Sequence, residues 1–447
     1  MKVTGLAALL LAEAAFANPA FDRRQFSLGG LSTVMCISGN KDTAIMGSQG
    51  NPPGSGRIAG PKEPAPVVKE SKIVPGAKQV KIRTGPYKAP GMKKQNSVSK
   101  LWGMLESYYD VDIAKPCSNC NILRQVGGLE YQDGRNANID SGLWLHHMVH
   151  FNTGPGRWDP TGVQGYYNAK TGGSCKGCVP MEGLGPSATA YTTAERRKPA
   201  GTDAWNTERY FVTGNERTPF NFYNPNLEKK SAYHLNPTDK FFYLVELMNM
   251  NDADAVVYIT MTYDYTEGPL PPDWDDAKTV FLDANACGSS EVESPHDKTK
   301  FSISSPKPWS PNISGRIVDS IGHLHDGGTN IEISAGPSKL MCNSKAVYAD
   351  KPEYVAKMGG MLMGTGDKVA KDHISTMNGC GTNDIANVKT VEKGQAWTTT
   401  GYYDYSKATP NEVKHKETNK TGPGEVMAIS IVLVAVKPGS ATAPRRT

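Results

Sequence analysis

The sequence lacks the features of a nucleic-acid-binding or membrane-spanning protein. Its 447 residues carry a formal net charge of only +5, with 21% charged residues, and no pattern of interleaved basic and aromatic residues occurs. A mild charge of this kind does not predict nucleic acid as a partner. Apart from one short apolar run at the beginning, no stretch approaches the length needed to cross a bilayer, so no membrane anchor is expected.

Helical periodicity and internal repeats are also nearly missing. Short strand-like runs instead alternate with turn residues, and in Val256–Tyr265 apolar and polar side chains alternate as in a half-buried strand. These runs predict an all-β fold of two tandem antiparallel jelly-roll-like β-sandwich domains. The clearest predicted strands are Leu143–Phe151, Phe241–Met250, Val256–Tyr265, Thr279–Ala284, Phe301–Ser304, Gly315–Leu324, Asn330–Ser334 and Val426–Val436.

A proline-rich break, Gly268–Trp274, divides these strands into two groups. The predicted domains are therefore residues 78–266 and residues 275–438, followed by a polar tail at 439–447. Residues 18–77 are rich in Gly, Pro and Lys, which predicts a basic, partly disordered arm.

The first 17 residues have the pattern of a secretory signal peptide. Lys2 precedes the apolar run Leu6–Leu11, and small residues follow up to Ala17, after which we expect cleavage. The mature protein is thus predicted to be secreted and extracellular.

The cysteines and two glycosylation motifs are interpreted in that compartment. An even number of cysteines in an oxidising environment favours disulfides over zinc, with the pairing left open. Asn312 and Asn419 begin Asn-x-Ser/Thr motifs and are predicted glycosylation sites. The disulfide candidates are Cys36, Cys117, Cys120, Cys175, Cys178, Cys287, Cys342 and Cys380.

A His-x-His motif is the strongest indication of a metal site. His323 and His325 are two residues apart at the end of a predicted strand, so their imidazoles project from one face. Such a pair suits copper, zinc, iron or nickel. The Asp326-Gly327 dipeptide that follows predicts a hairpin turn.

A second histidine cluster lies on the predicted strand Leu143–Phe151. His146 and His150 share one face of a regular strand and His147 takes the other, so all three converge only at a bulge or strand end. Five of the nine histidines fall in these two short stretches, which favours metal binding over scattered surface positions.

A methionine at the start of the last strand adds a soft ligand. Met427 follows the turn Gly422–Glu425, and two histidines with a thioether are the ligands expected for copper that cycles through Cu(I). A methionine in a strand is more often a core residue, and Met341 is the competing candidate.

Taken in their order along the chain, the histidine pairs and the methionine resemble the motifs of the copper type II ascorbate-dependent monooxygenases. This is the family of peptidylglycine α-hydroxylating monooxygenase and dopamine β-monooxygenase. The chain also resembles a secreted stress-upregulated nodulin-like family and its fungal relatives. That similarity rests on residues 117–121, 128–134, 143–147 and 321–328.

The monooxygenase resemblance implies two coppers, one in each sandwich, separated by a solvent gap. It implies a complete second site at His323, His325 and Met427, with Asp326 orienting an imidazole. The first site would be degenerate: His146 and His147 remain, but Asn249 stands where the family has a third histidine. The replacement ligands considered are Met248, Met250 and His150.

Three functions follow as hypotheses. The first is a secreted copper-binding protein with one mononuclear copper, which serves for copper capture or as a wall-associated stress protein. The second is an active copper-dependent monooxygenase or oxidase, and the third is a carbohydrate-binding or adhesive sandwich without metal. An extracellular reductant and a cell-wall polymer are the partners considered, and whether the chain is an enzyme is left open.

Overall fold

The protein, described here from a computed structural model, is built almost entirely of β-strands. The structure describes residues 37–38, 50–61, 63–97, 101–161, 178–179, 207–284, 291–292, 294–295, 297–305, 308–311, 313–336, 339–355, 373–381, 388–407, 410, 412–414 and 421–439. The predicted all-β class, with antiparallel sheets packed as sandwiches, is confirmed. No helix in the described part of the chain is both long and apolar enough to cross a membrane.

The described strands of the N-terminal half, and a short 3-10 helix at Ile139–Ser141, precede the break at 268–274. The strands are β1 (Ile37–Ser38), β2 (Gly56–Arg57), β3 (Val68–Glu70), β4 (Lys78–Ala89), β5 (Met104–Ile113), β6 (Cys120–Tyr131), β7 (Leu143–Thr153), β8 (Cys178–Val179), β9 (Thr207–Gly214), β10 (Phe220–Asn221), β11 (Ser231–Leu235), β12 (Lys240–Asn249) and β13 (Ala255–Glu267).

The C-terminal half follows the break and includes a second short 3-10 helix, Pro352–Tyr354. Its strands are β14 (Asp275–Asp283), β15 (Glu291–Val292), β16 (Lys300–Ser304), β17 (Gly315–Leu324), β18 (Gly328–Ala335), β19 (Lys339–Tyr348), β20 (Ile374–Met377), β21 (Thr390–Val391), β22 (Trp397–Asp404), β23 (Glu412–Lys414), β24 (Thr421–Pro423) and β25 (Val426–Val436).

One large sheet runs through both halves. Its order is β2-β4-β13-β6-β11-β14-β25-β17-β21, with β3, β10 and β15 paired at its sides. The halves meet where β11 pairs in parallel with β14, through Ser231 with Asp275 and Ala232 with Asp276. The domain limits at 266 and 275 remain a prediction, and continuous pairing joins the strands on either side of them.

Two smaller sheets complete the sandwiches. The sheet β5-β12-β7-β9 belongs to the N-terminal half, and the sheet β16-β22-β18-β19-β20 to the C-terminal half. The largest apolar core contains side chains from both halves, including Phe220 of β10, Phe281 of β14 and Ile431 of β25. Since β25 is buried at all eleven positions, it forms the centre of the second sandwich.

The predicted hairpin at Asp326-Gly327 is wrong. The chain does turn there, with the amide of Gly328 donating to the carbonyl of His325 at 3.1 Å. However, β17 pairs with β25 and β21, whereas β18 pairs with β19 and β22 in the other sheet. The turn therefore carries the chain from one sheet of the sandwich to the other.

The N-terminal arm is partly described. Within residues 50–77 the chain forms β2 and β3, which both pair with β4, so this part is extended and attached to the large sheet. The predicted signal peptide at 1–17 and residues 440–447 of the predicted tail lie outside the described residues.

Two disulfides join described cysteines. Cys117 is bonded to Cys120 and Cys342 to Cys380. A further disulfide candidate, Cys178, lies in β8, and only its backbone is described. The remaining candidates Cys36, Cys175 and Cys287, with the glycosylation candidates Asn312 and Asn419, lie outside the described residues.

Candidate metal centre

Four histidines from the two predicted clusters come together in one place. Ligand nitrogens of His146, His147 and His325 all lie within 4.8 Å of one another. The ring centre of His323 is 5.2 Å from that of His147 and 6.0 Å from that of His325. The sequence-based picture of two sites separated by a solvent gap therefore does not match the structure, in which both pairs contribute to one cluster.

A bulge in β7 brings His146 and His147 to the same side. Along the β7–β12 ladder, His147 pairs with Glu246 and Leu145 with Leu247, which leaves His146 as the extra residue. A bulge of this kind interrupts the alternation of side chains along a strand. The ring centres of the two histidines are consequently only 4.1 Å apart, although they are adjacent in sequence.

The second pair reaches the cluster by ordinary strand alternation. His323 lies in β17 opposite Ile429, and His325 follows the last residue of that strand. Both rings contact His147, and His325 stacks on it with ring centres 5.6 Å apart. The prediction that these two imidazoles share a face is confirmed by these contacts.

Each of three imidazoles has an acceptor at Nδ1. Nδ1 of His147 lies 2.9 Å from Glu246 Oε2, and Nδ1 of His323 lies 2.8 Å from Glu216 Oε1. Nδ1 of His325 lies 2.9 Å from the carbonyl oxygen of Glu425. An acceptor at Nδ1 holds the proton there, so that Nε2 keeps its lone pair for a metal.

Glu246 serves both histidines of the first pair. Its Oε2 is also 3.5 Å from Nδ1 of His146, while its Oε1 accepts from the amide and hydroxyl of Ser107. Burial alone would raise the pKa of this carboxyl. The neighbouring His146 and His147 imidazoles outweigh burial and hold the pKa of Glu246 well below its usual value, so it remains a carboxylate.

Burial keeps two of the imidazoles neutral. It lowers the pKa of His325 to about 3, and the neighbouring His146 and His323 contribute to that shift. Burial also holds the pKa of His147 well below the ordinary histidine value, again with a contribution from His146. Neutral imidazoles are the form that binds transition metals, so both side chains are ready ligands at neutral pH.

The buried nitrogens fit a metal ion. Nε2 of His147 and Nε2 of His323 are buried and have no hydrogen-bond partner, a costly arrangement unless something else binds them. Metal–imidazole bonds of about 2.0–2.1 Å require nitrogens up to roughly 4 Å apart, close to the spacing here. Small side-chain rotations would close the cluster around one ion, so the donor set fits a transition metal.

Met427 is close to the cluster in the pairing of β25 with β17, but its role as a ligand stays a prediction. It is fully buried in β25, two residues before Ile429, the ladder partner of His323. Its backbone N–H and carbonyl both bond to the hydroxyl of Tyr403. The competing candidate Met341 packs in a different core cluster from Met427, with Trp309 and Ile333.

Asn249 has a structural role at the end of β12. Its side-chain amide donates to the carbonyls of Ala89 and Ala253, and its oxygen accepts from the amide of Asn251. The third histidine beside His146 and His147 is therefore His325, from the other half, and position 249 is not part of the cluster. The alternative ligands Met248 and Met250 pack instead in a small cluster with Trp144.

His150 is a core residue. It is fully buried, and its Nδ1 lies 2.9 Å from the Tyr210 hydroxyl and 3.1 Å from Gln125 Nε2. Rings of Phe241 and Tyr243 pack edge-on against it. An aromatic cage therefore surrounds this imidazole, which is outside the described histidine cluster.

Asp326 orients a different imidazole from the one expected. Its Oδ2 lies 2.6 Å from Nδ1 of His373, and its Oδ1 accepts from the amide of Ile374. His373 in turn packs edge-on against Trp144, with ring centres 4.7 Å apart. The prediction for Asp326 is thus wrong about the partner, because the turn directs its carboxylate toward β20 rather than back to His323 or His325.

Sequence reasoning missed the two carboxylates that orient the cluster. Glu216 follows β9 and reaches His323 of the other half, and a Cβ at Gly214 would come within 2.9 Å of the His323 ring. Glycine is therefore required for this close approach. Nothing in the local sequence around Glu216 distinguishes it from a surface acid. Glu246, in contrast, is the one charged residue in the apolar run 241–248, a pattern that indicates a buried carboxylate, although its partner cannot be read from that run.

The arrangement defines a class of site: a cluster of four histidines that could hold a transition metal, shared by the two β-sandwich halves and adjoined by two carboxyl groups. The chain is similar to the probable copper-dependent oxygenase M1 of Phoma sp., with 26% identity over 74% of this chain and 67% of that protein. It is similar at the same identity to the probable copper-dependent oxygenase clz3 of Cochliobolus lunatus, over 63% of this chain and 70% of that protein.

Other comparisons add little. No family model matches the chain. Two solved structures of PNGF-II align with TM-scores of 0.31 and 0.29 at 10% and 11% identity. They cover 83% and 81% of this chain, which spans about three fifths (61% and 60%) of the PNGF-II chains. With TM-scores this low, the two structures support no conclusion about fold or function. The relatives support a copper-oxygenase-like relationship, whereas the nodulin-like and ascorbate-dependent monooxygenase resemblances are not confirmed.

Proposed function

We propose that this protein binds one copper ion between its two halves and uses it in oxygen-dependent oxidation of another molecule. The observation that carries the proposal is the convergence of four imidazoles, two of which present buried Nε2 atoms without a partner. Of the four, His146, His147 and His325 are the proposed principal ligands. His323 is proposed as the fourth ligand, or as one that replaces another when the site changes oxidation state.

The charges around the cluster favour a divalent cation. Glu246 and Glu216 both lie against imidazoles, so two carboxyl groups adjoin the cluster. A bound cation of charge two balances them. Imidazole alone suits copper and zinc equally, so copper is chosen because both curated relatives are named probable copper-dependent oxygenases.

Bound copper would supply one-electron redox chemistry and a place for dioxygen to react. The chain's own contribution is to fix the ligands. Glu246 and Glu216 hold the Nδ1 protons, and the carbonyl of Glu425 does the same for His325. Because these acceptors lie on separate strands and loops of the sandwiches, the imidazole positions are set by the fold before metal binds.

Met427 is proposed as a weak thioether ligand. Its burial beside β17 and its position before Ile429 support this, since both strands run past the cluster. A thioether would favour the reduced ion.

Secretion, an extracellular reductant and contact with a cell-wall polymer belong to the same proposal. The two described disulfides are compatible with an oxidising compartment.

The test is copper content by elemental analysis with an EPR spectrum of the copper-loaded full chain, followed by oxygen consumption with ascorbate. We expect one copper per chain, lost in His147→Ala and His325→Ala. In Met427→Leu the copper would remain, with an altered reduction potential.

A matched control comes from the same strand. His150→Phe removes a buried histidine that lies outside the cluster and keeps a ring in the aromatic cage, so copper content should not change. Copper bound equally by wild type and His147→Ala would contradict the site. Copper bound without any reductant-dependent oxygen consumption would leave a copper-binding protein and reject the oxidase activity.

A further inference from the structure

A small cavity adjoins the histidine cluster in the contact between the two halves. It measures about 20 Å³, and every residue around it is buried. His147 and His323 line one side, and the hydroxyl of Thr218 faces it as well. The apolar walls come from both halves and consist of Val212, Phe220, Phe281, Ile321, Ile429 and Ile431.

We propose that this cavity holds a small apolar gas, dioxygen, beside the metal centre. The inference rests on the proposed function for the identity of the gas, but the cavity and its apolar walls do not depend on metal. A volume of this size admits one molecule the size of water or of a diatomic gas. Larger organic molecules do not fit.

The walls favour an apolar guest over water. Water in a protein interior needs about two to four polar partners, and cavities lined by aliphatic and aromatic side chains stay dry. With a metal on the imidazole nitrogens, Glu216 engaged by His323 and the hydroxyl of Thr213 bonded to the carbonyl of Gly214, the hydroxyl of Thr218 is the main polar group that remains on this wall. Dioxygen needs no hydrogen bonds, so the same walls do not disfavour it.

The cavity lies on the inner side of the histidine cluster, away from its partly exposed side. It contacts His147 and His323, the more buried histidines, whereas His146 and His325 are partly exposed and do not line it. His146 and His325 therefore form the side of the cluster that is nearer to solvent. The gas is held on the inner side, among Val212, Ile429 and Ile431.

Xenon binding to the protein loaded with zinc, which binds the imidazole nitrogens without redox chemistry, tests the cavity directly, because xenon occupies dry apolar cavities. We expect one xenon site between Phe220 and Ile429 in xenon-pressurised crystals, with a matching signal in ¹²⁹Xe NMR. Ile431→Phe, which fills the cavity, should abolish it. The same substitution in the neighbouring core, Ile317→Phe, should leave it in place.

A milder variant covers the case in which Ile431→Phe does not fold. Val212→Ile adds one methylene to the wall and should reduce xenon occupancy strongly, whereas Val434→Ile, in the other core, should not. The proposal is overturned if the wild-type cavity takes up no xenon. An ordered water bonded to Thr218 in place of xenon would overturn it too.

The copper-loaded protein supplies a second measurement. In Val212→Ile the KM for dioxygen should rise at least about threefold with little change in kcat, because binding of the gas and not the reaction is weakened. An unchanged KM for dioxygen would reject the role of the cavity. If the zinc-loaded protein takes up xenon but the copper-loaded protein consumes no oxygen, the cavity stands and the proposed activity fails, so the two failures are distinguishable.

Discussion

The two halves of the molecule each contribute two histidines to one centre, but they position them by different means. In the C-terminal half, His323 and His325 follow the regular alternation of β17. In the N-terminal half, adjacent histidines face the same way because β7 bulges at His146. A regular strand can thus be interpreted from sequence alone, whereas a bulge is defined only by the strand that pairs with it.

The halves also differ in how firmly the imidazoles are held. Glu246 is buried within its own sheet, contacts both His146 and His147, and is bonded to Ser107. Glu216 crosses from the N-terminal half to hold His323 alone. The first pair is therefore fixed within one sandwich, while the second depends on the contact between the sandwiches.

The largest expected effect concerns the number of sites. If both pairs form one centre, His147→Ala and His323→Ala should each weaken the binding of the same single copper, His147→Ala by more than about 100-fold, since loss of an outer partner alone costs 10–100-fold. Stoichiometry measured by elemental analysis checks this. Two coppers in the wild type, with one lost in each variant, would show instead that the halves bind metal separately.

The two carboxylates provide the next contrast. Glu246→Gln should weaken copper binding by about 10–100-fold, and Glu216→Gln by less, because Glu246 serves two imidazoles and Glu216 one. Titration against a competing chelator measures both. Glu130→Gln, which removes a carboxylate paired with Lys81 away from the cluster, is the control and should bind copper normally. Equal losses in both cluster variants would mean that the halves hold their histidines equally well.

These features explain which parts of the site could be predicted from the sequence. Strands Gly315–Leu324 and Val426–Val436 have the predicted limits because long apolar runs ended by glycine-containing turns define them. The alternation of His323 and His325 follows from that. The crossing of the chain after Asp326 could not be predicted, because an Asp-Gly turn is the same locally whether it joins partners in one sheet or links two sheets.

The partners of the site residues depend on tertiary structure. Glu246 and His147 meet through strand register, and Asp326 meets His373 across a sandwich. Asn249 was interpreted as a missing ligand because a ligand was expected on that strand. Its three backbone hydrogen bonds at the end of β12 explain the residue without any metal.

A contact between the halves at Asp319 predicts a smaller, pH-dependent effect on the free energy of unfolding. Asp319 of β17 accepts a hydrogen bond from Asn221 of the N-terminal half, and burial raises its pKa to about 6 from an ordinary value of 3.8. The folded state binds the proton more tightly than the unfolded state, so the stability contributed by protonated Asp319 falls as pH rises from about 4 to about 6.

Asp319→Asn should therefore stabilise the protein above about pH 6 by at most about 3 kcal/mol, with no gain below about pH 4. Chemical denaturation at pH 4 and pH 7 measures the difference. Asp133→Asn, at an exposed turn of the N-terminal half, is the comparison and should show no such gain. A gain of equal size at both pH values would mean that titration of Asp319 is not its cause.

The smallest expected effect tests whether the N-terminal half lacks a ligand at all. Asn249→His should not add a second copper. Position 249 lies at the end of β12, three ladder positions beyond Glu246 and four beyond Val245, and its side chain faces the backbone carbonyls of Ala89 and Ala253. It should instead cost about 1–3 kcal/mol of stability, since those buried carbonyls lose their donor. Copper stoichiometry and urea denaturation measure the two effects. A second copper in this variant would restore the view that each half has its own site, and would show that the single centre results from the loss of one histidine.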